Sequence, residues 1–272
     1  MKVDIVIRAR NNAPLTAACI KSIRDNTPRE DYRIILVDDG SMPPLHTLLE
    51  DTGEVYVLGS RSSGAVTATN RGLALSLLNA DTAYVAVFDN DTRIPDGDTA
   101  WLDRFIAELE EYPGTAAVGA TGTAAGPQHP LAVPQTYTAA WGDESRGGRK
   151  DNPQIAKLVS FACLFIKDAV KECGFWDERY NPGNWEDSDY AVTLRDAGWT
   201  VRVARSVYIH HRCHTTFGPQ LGRLLRANEQ KFYEKWGIGK LFDMRVVSAE
   251  HILKVAETVL GKGRVDNDKA SV

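Results

Sequence analysis

The chain is poor in cysteine, has no long apolar run and carries no large excess of either charge. Its four cysteines, Cys19, Cys163, Cys173 and Cys213, are widely scattered and form no CxxC pair. That excludes a small disulfide-stapled scaffold and points to a reducing compartment. The opening MKVDIVIRAR is apolar over too short a span for a signal peptide, and Asp4 and Arg8 interrupt it. No stretch approaches the ~20 apolar residues that cross a bilayer. The expectation is a soluble, cytoplasmic protein, with peripheral contact at the inner face of a membrane left open. A formal net charge of −4 lacks the signature of a general polyanion binder. Internal repeats and low-complexity tracts are also missing.

What is present is ordinary globular composition: 272 residues, 43% hydrophobic and 25% charged. That suffices for one large core or two small ones. Apolar runs at residues 3–9, 33–39, 55–59 and 83–89 read as strands. The continuous apolar centre of RIILVDD suits a parallel strand buried on both faces. Residues 15–26 and 64–79 between them have helical character, and PLHTLLED reads as a short helix. Strand and helix in alternation predict an α/β sheet with right-handed crossovers, whose ligands collect at the carboxyl ends of the strands.

Further along, residues 99–113 predict an amphipathic helix with Trp101, Phe105, Ile106 and Leu109 on one face. Strand character returns at residues 116–122, at 157–167 and in VRVARSVYIHH. Helices are expected for DAVKECG, for residues 185–198, for 220–236 and for 250–260, before a frayed tail. Residues 126–154 are rich in proline, glycine and charge and read as a long loop, a candidate lid.

Four clusters of residues can carry chemistry. Asp89 and Asp91, flanking Asn90 at a strand end, can share a divalent cation that removes their mutual repulsion and grips a diphosphate; an Asx-rich turn is the plain alternative. Asp38 and Asp39 end another strand before Gly40, where a carboxylate can accept from a base imide or a ribose hydroxyl. A helix-capping loop is the alternative there. In NWEDSDY, Glu186 and Asp187 open a helix, where the dipole favours acids, and Trp185 beside them can help poise a general base. In YIHHRCHTTF, His210, His211, His214 and Cys213 are spaced too densely for a closed zinc site. One histidine completing a metal shell begun by Asp91 is the other reading. Trp141 and Trp185 border the expected cleft and can stack on a sugar ring.

Taken together, these pieces resemble glycosyltransferase family 2, with a GT-A fold, from Lys2 to about Gly237. DIVIRARNN is similar to the family's opening strand, ILVDDGS to its nucleotide loop and SSGAVTATNRGLALS to its glycine- and asparagine-bearing helix. VFDNDT resembles the metal motif, and residues 161–211 resemble the acceptor-side block. The resemblance implies a Rossmann-like, mostly parallel sheet flanked by helices. It divides the chain into a GT-A domain at 1–237, with a nucleotide-sugar half at 1–125 and an acceptor half at 126–237, and a C-terminal helical extension at 238–272.

The resemblance also implies an inverting transfer from a nucleoside-diphosphate sugar to an acceptor hydroxyl. Asp39 would meet the base with Asp38 in support, and Asn70, Asp89 and Asn90 would serve the donor. Asp91 and His210 would hold Mn²⁺ or Mg²⁺, with His211 as the alternative histidine. Asp187 would be the general base, Glu186 its orienting or acceptor-binding neighbour, and Trp185 an acceptor contact. The chain departs from the family pattern at Arg8 and Arg10, whose guanidinium groups can bind phosphate or pair with nearby acids.

A glycan or glycolipid is the expected acceptor, with a protein, a small molecule or a modified nucleic acid as alternatives. The basic clusters at 146–150 and 223–226 keep nucleic acid open. Residues 240–260 can serve membrane contact, a homodimer or simple packing. A sugar nucleotidyltransferase and a non-catalytic nucleotide-sugar-binding protein are the competing readings. IRARNNAP lacks the glycine-rich loop of the former, and intact acids argue against the latter.

Overall fold

The computed structural model of the chain describes residues 2–49, 53, 55–59, 61–124, 158–212 and 218–243. The expected lid, Trp141 and the helix at 250–260 lie outside the described residues. The first half alternates β1 (Lys2–Ala9), α1 (Ala13–Asp25), β2 (Tyr32–Asp38), β3 (Val55–Leu58), α2 (Ala65–Leu78) and β4 (Thr82–Asp89). β5 (Thr92–Arg93), α3 (Trp101–Glu110) and β6 (Thr115–Ala124) follow. Then come β7 (Ala162–Ile166), α4 (Lys167–Cys173), α5 (Glu186–Asp196), β8 (Thr200–His211) and α6 (Leu221–Asp243), whose helical run is broken at Gly237 (φ 73°, ψ 161°).

The strands form one sheet in the order β3-β2-β1-β4-β7-β6-β8-β5. β3, β2, β1 and β4 run parallel, as their continuous apolar sequences predict. β7 then enters antiparallel to β4 and β6, β6 and β8 are parallel again, and β5 runs antiparallel to β8. The sheet is therefore more mixed than its first half suggests.

Side chains alternate across the sheet and feed two helical layers. Val6, Val37, Val87 and Phe165 pack with α2, α4, α5 and Phe232 of α6. Ile5, Ile7, Leu36 and Phe88 pack on the other face with Cys19 and Ile23 of α1 and Trp101 and Phe105 of α3. Among the described residues, no helix is long and apolar enough to cross a membrane.

The chain leaves β1 to build β2 and β3 on one side, then returns to place β4 on the other. That reversal opens a crevice at the carboxyl ends of β1 and β4, the general site of ligand binding in open α/β sheets. Arg8 and Asp89 face each other there, in register.

Candidate active site

The crevice is a cleft of about 360 Å³. Asp89 ends β4, and Asp91 follows two residues later, after Asn90. The two-residue strand β5 then pairs Thr92 with His211 at the end of β8. That short pairing brings the imidazole to the acids: His211 Nε2 lies 3.3 Å from Asp91 Oδ1 and 3.5 Å from Asp89 Oδ2. The ring is stacked on Phe161, with centroids 4.7 Å apart and planes 7° from parallel. One ligand atom from each of Asp89, Asp91 and His211 lies within 4.8 Å of the others. Two carboxylate oxygens and one imidazole nitrogen at such spacing suit Mn²⁺ or a similar divalent cation.

The histidine differs from the expected one. His210 is exposed, and its ring packs edge-on against Tyr208. Adjacent residues of a strand point to opposite faces, so His210 and His211 cannot both turn toward Asp91. His211 takes that place.

Arg8 is tied on every side instead of reaching for phosphate. Its Nε donates to Asp89 Oδ1 at 2.6 Å, and Nη1 donates to Thr69 Oγ1 and lies 3.7 Å from Glu186 Oε1. Its Nη2 donates to the Ser160 hydroxyl at 2.8 Å. Arg8 is 9% exposed. Burial works against its charge, but Asp89 and Glu186 outweigh it and hold the guanidinium protonated more firmly than usual. Burial likewise opposes the charge on Asp89, yet Arg8 and His211 carry its carboxyl well below the usual carboxylate range. Arg8 thus occupies one oxygen of Asp89, and the other faces His211. Arg10 also lines the cleft but is exposed.

Glu186 and Asp187 open α5 and line the same cleft. Asp187 Oδ2 accepts from the Ser160 amide at 3.1 Å, and Oδ1 accepts from the Ser188 amide at 2.7 Å. Glu186 is 4% exposed, and its Oε2 has no hydrogen-bond partner. Burial, and then the neighbouring Asp187 charge, push the Glu186 carboxyl up to about 8 against the partial relief from Arg8. Burial thus makes it hold its proton more firmly than an ordinary glutamate does.

The nucleotide-loop acids divide their work. Asp38 lies off the cleft and shapes the turn, accepting from the amides of Ser41 (2.9 Å) and Leu45 (2.8 Å). Asp39 lines the cleft and accepts from the Ser62 hydroxyl and the amides of Ser63 and Gly64. Gly40 between loop and strand has φ 71°, and a side chain there would collide with the Arg61 backbone. Asn90 lines the cleft while its amide donates to Thr16 on α1.

Two expected contacts lie elsewhere. Asn70 does not line the cleft; its buried amide brackets Trp176 through both N–H and C=O and donates to Glu178. A bidentate side-chain amide satisfies one backbone unit, so Asn70 joins α2 to the segment at Trp176 and Glu178. Trp185 has left-handed backbone (φ 74°) and packs against Phe232 and Tyr233 of α6. Its indole supports α5 from behind and does not line the cleft.

Sequence reasoning missed Ser160, which serves both Arg8 and Asp187, and Phe161 beneath His211. Both fall in a stretch read as strand, whereas β7 begins at Ala162 and leaves them in a turn. Asn228 of α6 was missed as well.

Comparison with known proteins agrees with this fold. The family described as glycosyl transferase family 2 matches residues 4–174. No curated protein matches significantly. Among solved structures, the mannosyltransferase PcManGT from Pyrobaculum calidifontis, in complex with GDP-Man and Mn²⁺, is similar with a TM-score of 0.61 at 17% identity, over 86% of this chain and 63% of that one. GalNAc-T7 with UDP, GalNAc and Mn²⁺ gives 0.63 at 13%, over 78% and 44%. S. aureus TarS 1-349 gives 0.53 at 14%, over 78% and 60%. The chain thus spans less than two thirds of each of these structures, and at such identities the likeness speaks to the GT-A fold.

Proposed function

The chain belongs to glycosyl transferase family 2, and from that premise we propose that it moves a sugar from a nucleoside-diphosphate donor to an acceptor hydroxyl, with inversion and with a divalent cation. One observation carries this: a single cleft is lined both by Asp89, Asp91 and His211 and by the acid pair Glu186 and Asp187.

Asp89, Asp91 and His211 would hold Mn²⁺ or Mg²⁺, which when bound neutralises charge developing on a departing diphosphate. Arg8 fixes Asp89 so that one oxygen is kept for that role. Arg10, exposed at the cleft, offers a guanidinium to the phosphates. Asp39, which holds the 62–64 loop in the cleft wall, would serve the donor base from there. Asp187 is oriented by the Ser160 and Ser188 amides, and carboxylate oxygens retain further acceptor capacity for a hydroxyl proton. As the acceptor oxygen bonds to the anomeric carbon, the bond from that carbon to the diphosphate breaks, and the hydroxyl proton passes to Asp187. One displacement inverts the carbon. Glu186 donates its own proton in a hydrogen bond to a sugar or acceptor oxygen.

We propose a glycan or glycolipid as the acceptor; Leu221 and Leu225 of α6 line the cleft and give it an apolar wall. The test is incubation with a panel of nucleotide sugars, with and without Mn²⁺ and glycan acceptors. Release of nucleoside diphosphate and the product anomer are then followed. Mn²⁺-dependent release with an inverted product is expected; release without cation or a retained anomer contradicts the proposal.

A further inference from the structure

We infer that Asn228 of α6 is a positioning residue for the acid pair: it holds the turn that aims Glu186 and Asp187, without touching the cleft. The inference rests on the transfer reading above and adds a residue to it.

Asn228 is fully buried. Its side-chain amide nitrogen lies 2.7 Å from the Tyr180 carbonyl, 2.8 Å from that of Gly183 and 2.9 Å from that of Asn184. Its Oδ1 accepts from Lys231, which also donates to the Arg179 carbonyl. The turn carbonyls are thus met in the interior by the two N–H groups of one buried amide, with Tyr180 also accepting from the Gly183 amide. The turn is strained at its exit. Asn184 and Trp185 are successive left-handed residues, at φ 73° and 74°. That conformation is unfavourable for a side chain with a Cβ, and the surrounding structure must enforce it. Glu186 comes next.

The remaining support comes from the same stripe of α6. Phe232, one helical turn beyond Asn228, packs on the Trp185 indole with centroids 5.2 Å apart. One turn further, Trp236 Nε1 donates to Asp189 Oδ1 at 2.6 Å, while Lys235 pairs with Asp189 Oδ2 at 2.8 Å. Asn228, Phe232 and Trp236 thus clamp both ends of the segment that carries the acids. At its other end α6 gives Leu221 and Leu225 to the cleft. The helix that walls the cleft is also the one that aims the acid pair.

The test is Asn228→Ala in the full chain, assayed well below its melting temperature. A displaced general base costs about 10- to 100-fold in rate, so kcat is expected to fall by that factor. Mn²⁺-dependent nucleoside-diphosphate binding stays within about 2-fold on the same reasoning, since none of these contacts reach Asp89, Asp91 or His211. Amide hydrogen exchange should quicken at 183–190 and not at 37–41. Unchanged kcat, or nucleotide binding lost in parallel with it, overturns the inference. If Asn228→Ala does not fold, Phe232→Leu, which thins the support under Trp185, carries the same test. A wild-type protein inactive with every donor would defeat the transfer reading and the catalytic role built on it. Hydrogen exchange would still decide whether Asn228 holds the turn.

Discussion

The two sides of the cleft are built differently. On the side proposed for the donor, carboxylates sit at the ends of parallel strands: Asp38 is fixed by Ser41 and Leu45 and Asp39 by the 62–64 loop, within the same crossover units, while Asp89 is held by Arg8 of the neighbouring β1. On the acceptor side, Glu186 and Asp187 begin a helix whose entry turn is held from α6, 44 to 48 residues further along the chain. The first arrangement follows from sheet topology. The second depends on tertiary contacts, so perturbing it should cost chemistry and spare donor binding.

Substitutions that separate the two sides sharpen this contrast. The largest effect belongs to Asp187→Asn: loss of a general base lowers kcat by about 10²- to 10⁴-fold, while nucleotide binding is kept. Steady-state rates set beside calorimetric titration check this. If binding falls with the rate, the two sides are not independent. Within the donor side, His211→Ala should weaken Mn²⁺ binding by at least about 10-fold, taking loss of a ligand to cost no less than loss of its supporting shell. His210→Ala should leave it within error. Manganese titrations of both variants decide which histidine belongs to the site, and equal effects would contradict the geometry.

The smallest effect is on stability. The buried Glu186 carboxyl titrates near 8 in the folded chain, against an ordinary 4.5. The fold therefore prefers the protonated acid, and its contribution is complete below about 4.5 and is lost as pH rises through about 8. Glu186→Gln removes that loss. Its melting temperature relative to wild type should climb between pH 6 and pH 9, by about 2–4 °C for each kcal/mol recovered. Parallel melting curves would mean that Glu186 is charged throughout.

The acids at the strand ends were legible in the sequence because their signals are local. A β-branched run ending in DDGS or DNDT marks the strand and the ligand end together. His211 was harder. Deciding between adjacent histidines requires counting alternation along β8, and the register slips there: Ala120 pairs with Ala204 but Thr121 with Tyr208. An irregularity of that kind breaks the parity on which counting depends. For Arg8 the sequence leaves phosphate binding and pairing with acids both open, because its partners Asp89, Ser160 and Glu186 are distant in sequence. Asn70 and Trp185 carry a family-like signature, yet they bind Trp176 and Phe232, contacts that no local window contains. Asn228 sits in a charged helix and gives no sign of its burial.

The most direct measurement is calorimetric titration of UDP, GDP, dTDP and CDP, with and without Mn²⁺, into wild type, Asp91→Asn and Asp187→Asn. The account predicts Mn²⁺-dependent binding of one nucleotide by wild type and Asp187→Asn alike, and its loss in Asp91→Asn. Binding that ignores Mn²⁺, or that survives Asp91→Asn undiminished, would contradict it.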